Sequence, residues 1–114
     1  MSDVREATLA KTPQGIVPEG DGWFVLNARD APWVRSDERG QDSSLEGRQD
    51  WSGLGFRIHV LEPGQVNGMY HREPGQEDFL VLSGECILIL DGEEHQLRQW
   101  DYVHCPPWTE HIFV

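Results

Sequence analysis

Basic residues are scarce in this 114-residue chain: Lys11 is its one lysine, and the arginines are scattered among 20 acidic side chains, for a formal net charge of -11. A domain this acidic repels both a phosphate backbone and an anionic membrane surface, so neither nucleic acid nor membrane is expected as a partner. Long apolar runs are missing as well. The longest, Cys86 to Leu90, falls far short of the roughly 20 residues a helix needs to cross a bilayer. Met1 to Thr12 lacks the basic stretch and apolar core of a secretory signal, which makes the cytoplasm the expected compartment. Cysteine is limited to Cys86 and Cys105, too few to staple a secreted scaffold, and both are expected as buried free thiols. The sequence has no Gly-rich phosphate loop before a helix, no calcium-loop spacing, no serine in a nucleophile elbow and no internal repeat.

What is present suits one small folded domain. Apolar types make up 38% of the chain and include 5 Trp and 4 Phe, enough to fill a single compact core. The first 20 residues carry Pro13, Gly15, Pro18 and Gly20, so residues 1–22 are expected as a loose arm before a domain over 23–114. Trp23 to Leu26 reads as a short strand. Asn27 to Gly53 reads as a long covering loop anchored by Trp33, Leu45 and Trp51, because ordering a polar segment costs roughly 1 to 2 kcal/mol per residue and large rings are its main compensation.

After Gly53 the chain alternates apolar and polar residues. Strands are expected at Leu54 to Leu61, Gln65 to Glu73, Glu77 to Leu82, Glu85 to Leu90, Glu94 to Leu97, Tyr102 to Cys105 and Glu110 to Val114. Pro63-Gly64, Pro74-Gly75-Gln76, Ser83-Gly84 and Asp91-Gly92 supply the turns, the last suited to a two-residue hairpin whose turn positions both need positive φ. Short strands at this density, without helical periodicity, indicate an all-β antiparallel sandwich or barrel.

The chemistry concentrates in His71-Arg72-Glu73-Pro74-Gly75-Gln76-Glu77. Alternation puts Met69, His71 and Glu73 on one strand face, and the Pro74-Gly75 turn can return Glu77 beside them, with Phe79 and Val81 continuing that face. His111, just after Pro106-Pro107-Trp108-Thr109-Glu110, is a distant partner. Two imidazoles with one or two carboxylates on neighbouring strands make a donor set suited to a divalent metal.

These residues resemble the cupin superfamily. Its first motif, a glycine, a gap, His-x-His, a short gap, Glu, then six residues and Gly, is matched by Gly64, His71-Arg72-Glu73, Glu77 and Gly84. Its second motif is matched by Trp100-Asp101-Tyr102-Val103-His104-Cys105-Pro106-Pro107-Trp108-Thr109-Glu110-His111. The resemblance covers Gly53 to Val114 and implies a jelly-roll barrel with His71, Glu73, Glu77 and His111 pointing inward as metal ligands. Glu73 stands where the family usually has its second His. This adds negative charge, which favours a harder cation such as Mn²⁺ or Fe²⁺ while leaving Zn²⁺ compatible. Trp100 and Trp108 replace family glycines: either the backbone there needs no glycine, or a bulky ring is tolerated at a cost. The family's final Asn would fall beyond Val114.

Met69, Phe79, Val81, Tyr102 and His104 are expected to wall an apolar pocket, with Trp108 at its rim and Arg57 and His59 reaching in toward an anionic substrate or Glu73. The expected activity is that of a small metal-dependent cupin, of oxygenase or isomerase type, acting on a small polar molecule with Glu73 as a fourth ligand or a general base. A non-catalytic metal- or metabolite-binding module and a metal-free interaction dimer are the alternatives. The apolar segment at Val114 has no turn or cap after it. Either further residues follow, or the N-terminal segment of the same or a neighbouring chain pairs there, and an open apolar edge makes a homodimer the expected assembly.

Overall fold

The computed structural model describes residues 4–47 and 53–114. Of these, the residues within Met1–Ser36 and Gln41–Val60 form one compact unit, and those within Asp37–Gly40 and Leu61–Val114 form another. No helix among the described residues is long and apolar enough to cross a membrane.

In the first unit, the segment expected to be a loose arm is a hairpin. Strands β1 (Thr8–Thr12) and β2 (Gly15–Glu19) pair antiparallel, with Thr12 opposite Gly15. Thr12 Oγ1 donates to the Gly15 carbonyl at 2.7 Å and accepts the Gly15 N–H at 3.2 Å, closing a tight turn. Only glycine fits this position, because a Cβ would lie 2.7 Å from the Ala31 carbonyl carbon. Trp23 makes a single bridge, to Glu6, in place of the expected strand.

The expected covering loop also contains regular structure. A single 3₁₀ turn, Ala28–Asp30, is capped by Asn27 and accepts the Trp33 indole N–H at the Ala28 carbonyl, 2.9 Å away. Strands β3 (Val34–Ser36), β4 (Gly40–Ser44) and β5 (Arg57–Val60) form a sheet with β4 in the centre. Polar residues can build β4 because its backbone finds partners in the ladder and its buried Ser43 donates to the Pro32 carbonyl at 2.7 Å. The proposed anchor Trp51 lies outside the described residues.

The second unit carries the remaining strands: β6 (Glu77–Leu80), β7 (Glu85–Leu90), β8 (Glu93–Arg98), β9 (Tyr102–Cys105) and β10 (His111–Phe113). β7 lies between β10 and β8, and β6 pairs antiparallel with β9. Asp91 and Gly92 both have positive φ, 49° and 83°, as the two-residue hairpin between β7 and β8 requires. Leu88, Leu97 and Phe113 are buried at the core, packed against Leu61, Phe79, Val81, Cys86, Leu90 and Val103. Cys105 is buried, Cys86 is partly buried, and both are free thiols.

The strand expected at Gln65 to Glu73 is reduced to one bridge, His71 with His111. The Asn67 N–H donates to the Phe113 carbonyl at 3.1 Å, and the Asn67 side-chain Oδ1 accepts the Phe113 N–H at 3.0 Å. Asn67 and His71 are four positions apart while their partners Phe113 and His111 are two apart, so Gly68, Met69 and Tyr70 bow out of the ladder. Among the described residues the strands make four separate sheets, so the all-β class is observed without a closed barrel.

Candidate metal centre

The two histidines of the candidate site are held by the same local device. His71 and His111 are opposite each other in the bridge, with His111 N–H donating to the His71 carbonyl at 2.9 Å and the reverse bond at 3.4 Å. Each imidazole places Nδ1 on the carbonyl two residues before it, Met69 for His71 and Thr109 for His111, the latter at 2.9 Å. A carbonyl can only accept, so Nδ1 of each ring carries a proton and Nε2 is the ring atom left to the site.

Those Nε2 atoms meet carboxylates. His71 Nε2 lies 3.2 Å from Glu73 Oε1, and His111 Nε2 lies 3.5 Å from Glu77 Oε1. An imidazole lone pair facing a carboxylate oxygen is favourable only with a proton or a cation between them. Glu77 Oε1 is buried and has no hydrogen-bond partner, the kind of orphaned polar atom that a ligated ion would satisfy. Donor atoms of His71, Glu77 and His111 lie within 4.8 Å of one another. Glu73 stands beside His71 but outside this trio, its side chain 51% exposed.

The electrostatics follow from this crowding. Burial, then the neighbouring Glu73 carboxyl, push the Glu77 carboxyl above its ordinary range, while the two imidazoles pull it back. The bond to the Met69 carbonyl raises His71 despite the opposing effect of burial. Phe79 supports the site from below, its ring 5.3 Å from that of His111 and 4.5 Å from that of Phe113.

The other expected wall residues are placed differently. Val81 packs into the core. Met69 is 68% exposed and serves the site through its carbonyl. Tyr102 is opposite Leu80 and His104 is opposite Asp78, so both stand on the sheet face away from Glu77 and Phe79. There Asp78 accepts from Tyr102 Oη and pairs with His104 Nδ1 at 2.7 Å, which lowers the Asp78 carboxyl and raises the Tyr102 phenol. Arg57 and His59 belong to the first unit. Arg57 lies 3.8 Å from Asp42, and burial lowers His59. Trp108 sits on an exposed turn, its backbone N–H donating to the Glu73 carbonyl at 2.7 Å.

Residues 57–114 match the family model of the cupin domain. The chain belongs to the cupin family. No curated protein matches this cupin. The glycine-to-tryptophan exchanges take on structural meaning in this light. Trp100 and Trp108 have φ of 73° and 69°, so the left-handed backbone is present with an indole attached. Sequence reading missed the carbonyl anchors of Met69 and Thr109, since nothing in a side-chain pattern announces a backbone acceptor. It also missed the Asp78 network, which emerges only once the β6 and β9 register is known.

Proposed function

We propose that this cupin is a metal-dependent enzyme in which His71, Glu77 and His111 hold a divalent ion, Mn²⁺, Fe²⁺ or Zn²⁺, with Glu73 as a fourth ligand or a proton acceptor. The observation carrying the reading is the buried, partnerless Glu77 Oε1 beside two imidazoles whose Nδ1 protons are already committed to the backbone. When bound, such an ion polarises an oxygen of a small polar substrate, in oxygenase or isomerase chemistry. Asymmetric burial favours catalysis over storage: the His111 side chain is 3% exposed, whereas that of His71 is 36% exposed, leaving an approach from the His71 side. Glu73, 51% exposed on that open side, takes a proton from the substrate. The protein acts in the cytoplasm as a homodimer whose core domain completes a jelly-roll barrel.

Elemental analysis of the purified protein tests this. Near-stoichiometric metal is expected, and it should be lost in both His71→Ala and His111→Ala. Metal content unchanged in the two variants would end the proposal. An aerobic oxygen-uptake screen with the retained metal then separates oxygenase from isomerase chemistry.

A further inference from the structure

We infer that the indole of Trp108 is a stacking platform for a flat, uncharged ring carrying an oxygen donor, presented to the His71, Glu77 and His111 site; the inference rests on the metal-site reading above. Pro106, Pro107, Trp108 and Thr109 form a four-residue turn, closed by the Thr109 N–H and hydroxyl donating to the Pro106 carbonyl at 3.3 and 2.8 Å. Trp108 occupies the third position with φ of 69°, where glycine is free of strain and a bulky residue is not. Burial does not offset that strain, because Trp108 remains 61% exposed. The fold gains little from an indole here.

The position of the turn says what the indole serves. Trp108 N–H is bonded to the Glu73 carbonyl, and the next residue, Thr109, supplies the carbonyl that orients His111. The Trp108 backbone is thus fixed between the two segments that bring the site's imidazoles together. An exposed indole face attracts flat rings through offset stacking. Glu73, 51% exposed beside His71 and outside the donor trio, disfavours an anionic ring, and a divalent ion on imidazole and carboxylate donors accepts an oxygen donor. Together these select a neutral planar ring bearing a hydroxyl or carbonyl group.

Calorimetric titration of the full chain, zinc-loaded and metal-free, tests the inference with three probes. Catechol is the flat neutral ring, trans-cyclohexane-1,2-diol carries the same hydroxyls on a puckered ring, and benzoate is a flat anion. Catechol is expected to bind more tightly than either control. Trp108→Gly should weaken catechol about tenfold, Trp108→Phe by no more than about threefold, and neither should alter the diol. The Trp108→Gly variant should melt no lower than the wild type. Equal catechol affinity in wild type and Trp108→Gly, no catechol binding by either, or an equal loss for catechol and diol would overturn the inference. Failure of the metal reading registers separately, as wild-type protein that retains no zinc; the metal-free titrations then decide the stacking question by the same criteria.

Discussion

His71 and His111 face each other across a single backbone bridge with ring centroids 5.0 Å apart. Forty residues of chain separate them, yet each is oriented by a carbonyl from its own strand segment. The site is therefore built from two locally preset halves, and its remaining unsatisfied group is the carboxylate between them.

Glu77→Gln separates folding from ligation. The amide keeps the shape of the side chain and removes a charge that burial and Glu73 disfavour. Metal-free Glu77→Gln should be at least as stable as the wild type at neutral pH, while its zinc affinity falls by about 100-fold or more, at least the loss seen when outer partners of a metal site are removed. Thermal melting and competition with a zinc-binding dye measure the two effects. A variant that binds zinc as well as the wild type would remove Glu77 from the ligand set.

The metal-free protein should favour mild acid. Burial raises Glu77 from 4.5, and the Met69 carbonyl raises His71 from 6.5. A group whose folded pKa exceeds its unfolded one contributes stability that is full below the unfolded pKa and lost as pH rises through the folded value. The loss from Glu77 therefore begins above 4.5 and that from His71 above 6.5. In chelator, the melting temperature should be higher at about pH 5 than at about pH 8, with a shallower slope in Glu77→Gln. Zinc should reverse the trend, because protons compete with the ion for the same atoms. Identical pH slopes for wild type and Glu77→Gln would contradict the assignment to Glu77.

Trp100→Gly should stabilise the fold. The 73° φ of Trp100 costs about 1 to 2 kcal/mol for a residue with a Cβ, against about 0.5 to 1 kcal/mol of added chain entropy for glycine. Urea denaturation should show a net gain of about 0.5 to 1 kcal/mol. A loss of stability would mean that the 66%-exposed indole makes contacts worth more than the strain.

Leu88→Ala should cost about 2 to 5 kcal/mol, as for other fully buried leucines. Leu88 is 3% exposed and pairs with Phe113 across β7 and β10. The urea midpoint should fall with little change in slope. A cost below about 1 kcal/mol would show that the core closes over the lost side chain.

Local signals were readable and long-range ones were not. β7, the Asp91-Gly92 turn and β9 follow from alternation and turn chemistry confined to a few neighbouring residues, and so does the grouping of Glu77 with Phe79. The β1 and β2 hairpin escaped because its strands are short and rich in threonine, glycine and proline, and its turn is closed by a side-chain hydroxyl. β4 escaped because Gln41, Asp42, Ser43 and Ser44 carry no hydrophobic pattern; pairing with β5 defines it. The strand predicted through Met69 failed for the opposite reason. The spacing of Met69, His71 and Glu73 suits one strand face, but Asn67 bonds the Phe113 backbone through its own N–H and Oδ1, and Gly68, Met69 and Tyr70 bulge between that contact and the His71 bridge. Of the site, the identity of the donors was legible from residue types. Their convergence depended on a pairing across forty residues, and the outward placement of Tyr102 and His104 depended on register.

That register has a further consequence, carried by the Asp78 network on the outer face. Glu77 and Asp78 are adjacent carboxylates, and a slip of one residue between β6 and β9 would exchange which of them faces inward. The interior would still receive an acid, so hydrophobic matching alone discriminates weakly at this position. Tyr102 and His104 both grip Asp78 and no other acid on β6. In the observed frame this outer clasp occupies the shorter acid, Asp78, and leaves the longer Glu77 side chain to reach the imidazoles.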